Sequence, residues 1–239
     1  SICNQFKITS IFIVKHNISQ EYIHALHDFC KQYHISIHIM ADSFLNTPFI
    51  DSGSFDGLPM INTVFCEIGF FSMMIKRLFD ILVSVIGLVC LFPLMLMIGC
   101  WIKLVSPVGS ILYQQDRVGK NGEIFKMVKF RSMANNAETE SGPIMVDESG
   151  DDRYIKGGRF IRQYSIDELP QLWNVLIGEM SLVGPRPERP FFVEQFKQTV
   201  PFYNDRHIVP VGITGWAQIN GRSVLTRKPD QKVKYDIYY

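Results

Sequence analysis

Two carboxylates, Asp167 and Glu168, stand side by side in the stretch SIDELPQLWNV, residues 165–175, and Pro170 follows within two residues. Carboxylates of this kind can supply hard oxygen donors to Mg²⁺. A little further on, GEMSLVGPRPERP sets Arg186 between Pro185 and Pro187, with Arg189 close behind. Proline fixes φ and resists helix, so that loop is stiff. The fork of an arginine held on a stiff loop suits phosphate oxygens, and paired carboxylates suit a divalent cation. The combination points to a phosphorylated ligand. An internal Arg–carboxylate ion pair serving only the fold is the competing account. Ser165 and Glu168 also have capping-box spacing, and acidic residues near a helix N-terminus are favoured by its dipole.

The elements that must position these groups are legible in outline. Leu169, Leu172, Trp173 and Leu176 recur at helical spacing, which predicts a helix starting near Asp167 with Pro170 in its first turn. Upstream, DRVGKNGEIFKMVKFRSM places an Asn121-Gly122 turn signal between two strand-like runs. The second run sets Lys129 and Arg131 on one side of a strand. This basic hairpin could face the ligand, form an ordinary exposed sheet face, or meet anionic lipid headgroups.

Residues 81–102 form an uncharged apolar run long enough, as a helix at roughly 1.5 Å per residue, to cross a bilayer's hydrocarbon core. Pro93 interrupts it near the middle. Lys76 and Arg77 precede the run, while Lys103, Arg117 and Lys120 follow it. The positive-inside tendency draws both flanks to the cytoplasmic face, so a re-entrant helix broken at Pro93 fits better than a kinked spanning helix or a buried soluble one.

Before this run the order is β-α-β: ITSIFIV, SQEYIHALHDFCKQYH and ISIHIM. Tyr22, Ile23, Leu26, Phe29, Cys30 and Tyr33 make one apolar helix face, and His24, His27, Asp28 and Lys31 the other. His24 and His27 lack a cysteine or carboxylate to complete a metal set and are better read as solvated. No G-x-G-x-x-G turn follows the first strand, so the unit is Rossmann-like in order without the dinucleotide fingerprint. The segment FIDSGSFDGLPMINT reads as a loop at a domain boundary.

Composition narrows the classes. With 24 basic against 23 acidic residues, the chain lacks the charge of a general nucleic-acid binder, and its 47% hydrophobic content supports a sizeable core. Cys3, Cys30, Cys66, Cys90 and Cys100 show no C-x-x-C spacing, which argues against a zinc site or a disulfide framework and for a reducing cytosol. The chain opens on Ser1 without a secretory signal pattern and is expected to be a piece of a longer protein.

The motifs KFRSM, IDELPQLWNVLIGEMSLVGPRPERP and GITGWAQINGR, in this order, closely resemble those of the bacterial sugar transferases known as monotopic phosphoglycosyl transferases, from about Lys76 to the C-terminus. The resemblance implies an α/β chain in four parts. Residues 1–63 would be the end of a Rossmann-like regulatory or structural domain and 64–75 a linker. Residues 76–105 would be the re-entrant membrane helix broken at Pro93, and 106–239 a mixed α+β catalytic domain. It further implies transfer of a sugar 1-phosphate from a UDP-sugar to polyprenyl phosphate on the cytoplasmic face of the bacterial inner membrane, initiating exopolysaccharide or O-antigen synthesis. Asp167 would be the nucleophile and, with Glu168, a Mg²⁺ ligand; Lys129, Arg131, Arg162 and the segment Gly184, Pro185, Arg186, Pro187 would hold phosphate or nucleotide. A homodimer is a further family-level expectation, and no nucleic acid is involved. Three features depart from the family pattern. Phe92 stands where a serine commonly precedes the helix-breaking proline. Pro210 and Val211 stand where a basic residue and then proline are usual. YDIYY falls short of the tryptophan-containing C-terminal segment found in relatives. A membrane-attached scaffold without catalysis and a glycosyltransferase releasing UDP are the competing functions.

Overall fold

The structure, a computed structural model, describes residues 8, 10–13, 35–40, 51–55, 58–63, 70–134, 153–200 and 203–221, with isolated positions between 22 and 33 and between 232 and 236. It divides into two compact units, which meet in sequence at Phe70 and Phe71.

The first unit holds one sheet of four strands: β1 (Ser10–Ile13), β2 (Ser36–Met40), β3 (Asp51–Phe55) and β4 (Leu58–Thr63), in the order β1-β2-β4-β3. β1 and β2 pair in parallel, as strands joined by a crossover must. Between them Tyr22, Ala25, Leu26, Phe29, Cys30 and Tyr33 are helical. Cys30 is fully buried, whereas Tyr22 and Phe29 are exposed, so the buried stripe is narrower than the sequence predicts. His24 and His27 lie outside the described residues. The predicted boundary loop is instead an antiparallel hairpin of β3 and β4, with Asp51 opposite Asn62 and Phe55 opposite Leu58. The two strands flank Asp56-Gly57, a dipeptide suited to a two-residue hairpin turn. Pro59 is tolerated because β4 pairs with β2 only from Met60 onward, so no ladder bond to β2 is lost.

The second unit begins with α1 (Phe70–Val105), a 36-residue helix that contains Pro93. The sequence predicts a helix-break-helix; the structure has one helix running through the proline. Proline's φ is itself helical, and apolar surroundings give the backbone no better partner than its own ladder, so the helix continues past the missing N–H. The helix is long and apolar enough to cross a membrane. Phe70, Leu78, Phe79, Val89, Phe92, Met97 and Leu104 are among its exposed apolar side chains. One stripe turns inward, with Asp80, Ser84, Gly99 and Ile102 buried.

β5 (Leu112–Val118) and β6 (Ile124–Phe130) form the antiparallel hairpin that the Asn121-Gly122 signal predicts. Asn121 and Gly122 both take positive φ there, at 57° and 82°. Then follow α2 (Gly158–Gln163), a 3₁₀ turn over Ile166–Glu168, α3 (Gln171–Ile177), β7 (Ser181–Val183), α4 (Pro190–Thr199), a second 3₁₀ turn over Tyr203–His207, β8 (Gly212–Thr214) and α5 (Trp216–Ile219). Phe125, Met127, Val175, Met180 and Val211 make a core between the hairpin, α3 and the β7–β8 pair. Ile102 joins Phe130, Ile155 and Ile161 in another, with Met95, Ile98, Trp101, Ile166 and Leu169 packed around it. The membrane-type helix therefore supports the turn that carries Asp167.

Candidate active site

Asp167 and Glu168 sit in the 3₁₀ turn and are 5% and 6% exposed. The turn is not the capped helix start the spacing predicts. Ser165 adopts left-handed φ, 56°, and supplies no side-chain cap, and α3 begins three residues beyond Glu168, at Gln171. The Glu168 carboxylate is used otherwise. Arg186 Nη2 donates to its Oε1 at 2.6 Å and Nη1 to its Oε2 at 3.4 Å, a two-pronged arginine–carboxylate contact. Lys129 Nζ lies 3.6 Å from the same Oε1. Asp167, by contrast, makes no hydrogen bond or ion pair among the described residues.

Burial raises the Asp167 pKa above the ordinary carboxylate value; the charge of Lys129 opposes this and that of Glu168 adds to it. Burial also lowers the Lys129 pKa to about 8, against the raising effect of Glu168. For Arg186, burial acts downward, but the charge and hydrogen bonds of Glu168 outweigh it and the net direction is up.

The loop carrying Arg186 is fixed from several sides. The Gly184 amide donates to the Thr214 carbonyl at 2.9 Å, and the Gly212 amide donates to the Pro185 carbonyl at 2.8 Å. A Cβ at Gly184 would lie 2.2 Å from the Pro210 carbonyl oxygen, and one at Gly215 2.2 Å from the Gly184 oxygen. Only glycine permits this backbone-on-backbone approach. Arg117 Nη1 donates to the Pro187 carbonyl at 3.0 Å. Arg206, 1% exposed, donates to the Arg186 carbonyl at 2.7 Å.

Of the residues the sequence nominates, Asp167, Glu168, Lys129 and Arg186 converge, and Gly184, Pro185 and Pro187 shape the loop beneath Arg186. Arg162 lies close enough for its charge to act on Asp167, with its guanidinium 5.9 Å from the Tyr154 ring centre. Arg131 goes elsewhere. It lies past the end of β6 and donates to the carbonyls of Ser106, at 2.7 Å, and Val108, at 2.6 Å, holding the turn after α1. Sequence reasoning missed Arg117, Glu188, Arg206, Lys232 and Asp236, a charge group behind the loop with Arg206 and Asp236 buried and the others half-buried. Glu188 bonds Lys232, and although burial acts upward on its pKa, the charges of Lys232, Arg206 and Arg117 hold it down at about 2. The only local sequence signal was Glu188's place in the PRPE run.

The two carboxylates suit magnesium unequally, because both Glu168 oxygens already accept from Arg186. Among the described residues there is no group of three or more His, Cys, Asp or Glu that could enclose an ion. Mg²⁺, however, is commonly held by one or two carboxylates and completed by substrate phosphates and water. Asp167, with unengaged hard oxygens beside Glu168, suits that shared arrangement.

Comparison with known proteins identifies the family. Residues 71–239 match the model of the bacterial sugar transferase family. The chain is 47% identical over 166 residues to a UDP-N-acetylgalactosamine-undecaprenyl-phosphate N-acetylgalactosaminephosphotransferase of Aeromonas hydrophila, covering 69% of this chain and 38% of that protein. It is 37% identical over 187 residues to the UDP-glucose:undecaprenyl-phosphate glucose-1-phosphate transferase of Klebsiella pneumoniae, covering 77% and 40%. It is 38% identical over 173 residues to the exopolysaccharide production protein PSS of Rhizobium leguminosarum bv. phaseoli, covering 70% and 86%. The chain thus spans about two-fifths of the length of the first two relatives. With a family match that takes in α1, the paired carboxylates and the glycine-packed arginine loop, the chain belongs to the bacterial sugar transferase family.

Proposed function

We propose that the chain carries the catalytic part of a phosphoglycosyl transferase that moves a sugar 1-phosphate from a UDP-sugar to a polyprenyl phosphate. The observation that carries this reading is the asymmetry of the carboxylates: Glu168 is bonded by Arg186 and flanked by Lys129, while Asp167, buried beside them, makes no side-chain hydrogen bond or ion pair among the described residues. In the first step an Asp167 oxygen attacks the phosphorus bearing the sugar. An acyl-phosphate bond forms, the bond from that phosphorus to the bridging oxygen breaks, and UMP leaves with that oxygen. In the second step a phosphate oxygen of the lipid attacks the same phosphorus, releasing the Asp167 carboxylate and yielding a lipid diphosphate sugar. Arg186 and Lys129 hold phosphate oxygens, and Glu168 orients both cations. A magnesium ion held by Asp167 and Glu168 would offset their repulsion of the diphosphate and stabilise charge on the departing UMP. The test is the nucleotide product, in detergent with Mg²⁺, a panel of UDP-sugars and undecaprenyl phosphate: UMP supports the reading, and UDP overturns it.

The reading places α1 in the membrane with both ends on the cytoplasmic side. The support is that both ends are tied to one compact unit. Arg77 donates to the carbonyls of Val175, at 2.6 Å, and Leu176, at 2.8 Å, near the α3 C-terminus, while Trp101 and Ile102 pack with Phe130, Ile155 and Ile161. A spanning helix would put those two sets of contacts on opposite sides of a hydrocarbon core of about 30 Å. Single cysteines at Ser72 and Leu104, in a background without the native exposed cysteines, should react with an impermeant maleimide from the same side of sealed vesicles. Labelling from opposite sides would refute this placement.

The site's electrostatics predict a pH profile. In the free enzyme Lys129 loses its charge above about pH 8, leaving the carboxylates less compensated and the diphosphate less attracted. The donor kcat/KM should therefore fall above about pH 8, and Lys129→Arg, which stays charged, should move that limb upward. An alkaline limb unchanged in Lys129→Arg would show that another group sets it.

A further inference from the structure

Asp80 is a buried carboxylate that the chemistry above does not use, 4% exposed on a predominantly apolar helix. An anchoring helix gains nothing from burying a carboxylate, since desolvating it is costly unless it is paired and bonded. Here it is both. Asp80 Oδ2 accepts from Ser181 Oγ at 2.8 Å, and Oδ1 accepts from the Leu182 amide at 3.1 Å. Lys76, one turn earlier, lies 3.5 Å from Oδ2, bonds Ser181 Oγ and donates to the Val183 carbonyl at 3.1 Å. Two side chains of α1 thereby engage each of the three residues of β7.

β7 runs directly into Gly184, and Arg186 follows two residues later. From Gly184 on, the backbone is held by Thr214 and Gly212, but a three-residue strand is a weak support by itself. Among the described residues its sheet has one other strand, β8. The Asp80–Lys76 pair adds a fastening to α1, and Ser84, also fully buried, continues that face of the helix. The register of the membrane helix is thus connected through β7 to the guanidinium that meets Glu168.

We propose that Asp80, assisted by Lys76, is a positioning residue for Arg186, locking β7 to α1 so that the arginine fork is preset for the donor's diphosphate; the last clause rests on the function proposed above. The test compares Asp80→Ala and Asp80→Asn in the chain in lipid nanodiscs, with and without Arg186→Ala. Amide exchange should speed about tenfold or more over residues 181–187 in Asp80→Ala, with residues 124–130 unchanged and Asp80→Asn intermediate, because Asn keeps an acceptor for Leu182. The donor kcat/KM should fall about tenfold through KM, and in the Arg186→Ala background Asp80→Ala should cost nothing further. Unchanged exchange over 181–187, equal loss of protection over 124–130, or a full additional loss in the Arg186→Ala background would each overturn the proposal. If the unsubstituted chain transfers no sugar phosphate, the transferase reading fails, and the exchange measurement alone decides whether Asp80 fixes the loop.

Discussion

Asp167→Asn should lower sugar-phosphate transfer by more than roughly 10³-fold while leaving the fold at least as stable. Asparagine fills the same space but offers no anionic oxygen to attack phosphorus. The stability half of the expectation follows from the sign of the pKa shift. The Asp167 pKa is raised in the folded chain, so its ionised form is disfavoured by folding at neutral pH, and a neutral side chain removes that cost. Glu168→Gln should behave differently. It takes the charge from a carboxylate engaged by Arg186 and Lys129, leaving two part-buried cations poorly compensated, so stability and donor affinity should fall together. Thermal melts and transfer assays on the two variants separate these roles. Equal melting losses in both would contradict the division of labour between the carboxylates.

The second large effect lies behind the site. Asp236→Ala should destabilise the chain by about 3–5 kcal/mol, because it strands a buried guanidinium. Arg206 Nε and Nη2 donate to Asp236 Oδ2 at 3.0 and 2.7 Å, and both side chains are 1% exposed. Burial acts downward on the Arg206 pKa, but the Asp236 charge outweighs it and the net direction is up. Replacing both partners, Arg206→Met with Asp236→Leu, should recover much of the lost stability, since an apolar pair requires no charge desolvation. Activity should not return with it, because Arg206 also donates to the Arg186 carbonyl. Denaturant midpoints for the single and double variants check the first claim, and donor KM checks the second. A double variant as unstable as Asp236→Ala would show that the ion pair is not the cause.

Local chemistry was what the sequence made visible. The Asn121-Gly122 turn, the stiff proline-flanked Arg186 and the adjacency of Asp167 and Glu168 are all short-range features, and the structure brings Lys129 and Arg186 onto Glu168. Long-range partners were not visible. Arg206 and Asp236 are 30 residues apart, with nothing in the intervening residues to announce the pair. Lys76 and Arg77 read as membrane-flanking charge, yet their donors fasten β7 and the end of α3. Strand alternation set Arg131 beside Lys129, but β6 ends at Phe130, and beyond it the alternation no longer dictates direction.

α3 shows why an amphipathic pattern can mislead beside an apolar helix. Leu169, Leu172, Trp173 and Leu176 carry the helical spacing, whereas the buried residues of the helix are Gln171, Asn174 and Val175. Asn174 accepts from the Val128 amide at 3.0 Å and donates to the Lys126 carbonyl at 2.9 Å, clamping α3 to β6. Leu172 meets α1 at Gly87, where a Cβ would lie 3.0 Å from its Cδ1, and Trp173 remains 53% exposed. Leu169 and Leu172 pack toward α1, while Asn174 and Val175 carry the contacts with β6.

The central claim is that Asp167 carries the sugar phosphate between donor and lipid, and mass measurement on the chain tests it most directly. The chain would be incubated with Mg²⁺ and the UDP-sugar that supports transfer, without polyprenyl phosphate, then digested and mapped. The account predicts one added sugar phosphate on the peptide containing Asp167, removed on adding polyprenyl phosphate and absent from Asp167→Asn. UMP release with no adduct at any time after mixing, or an adduct on another residue, would contradict it.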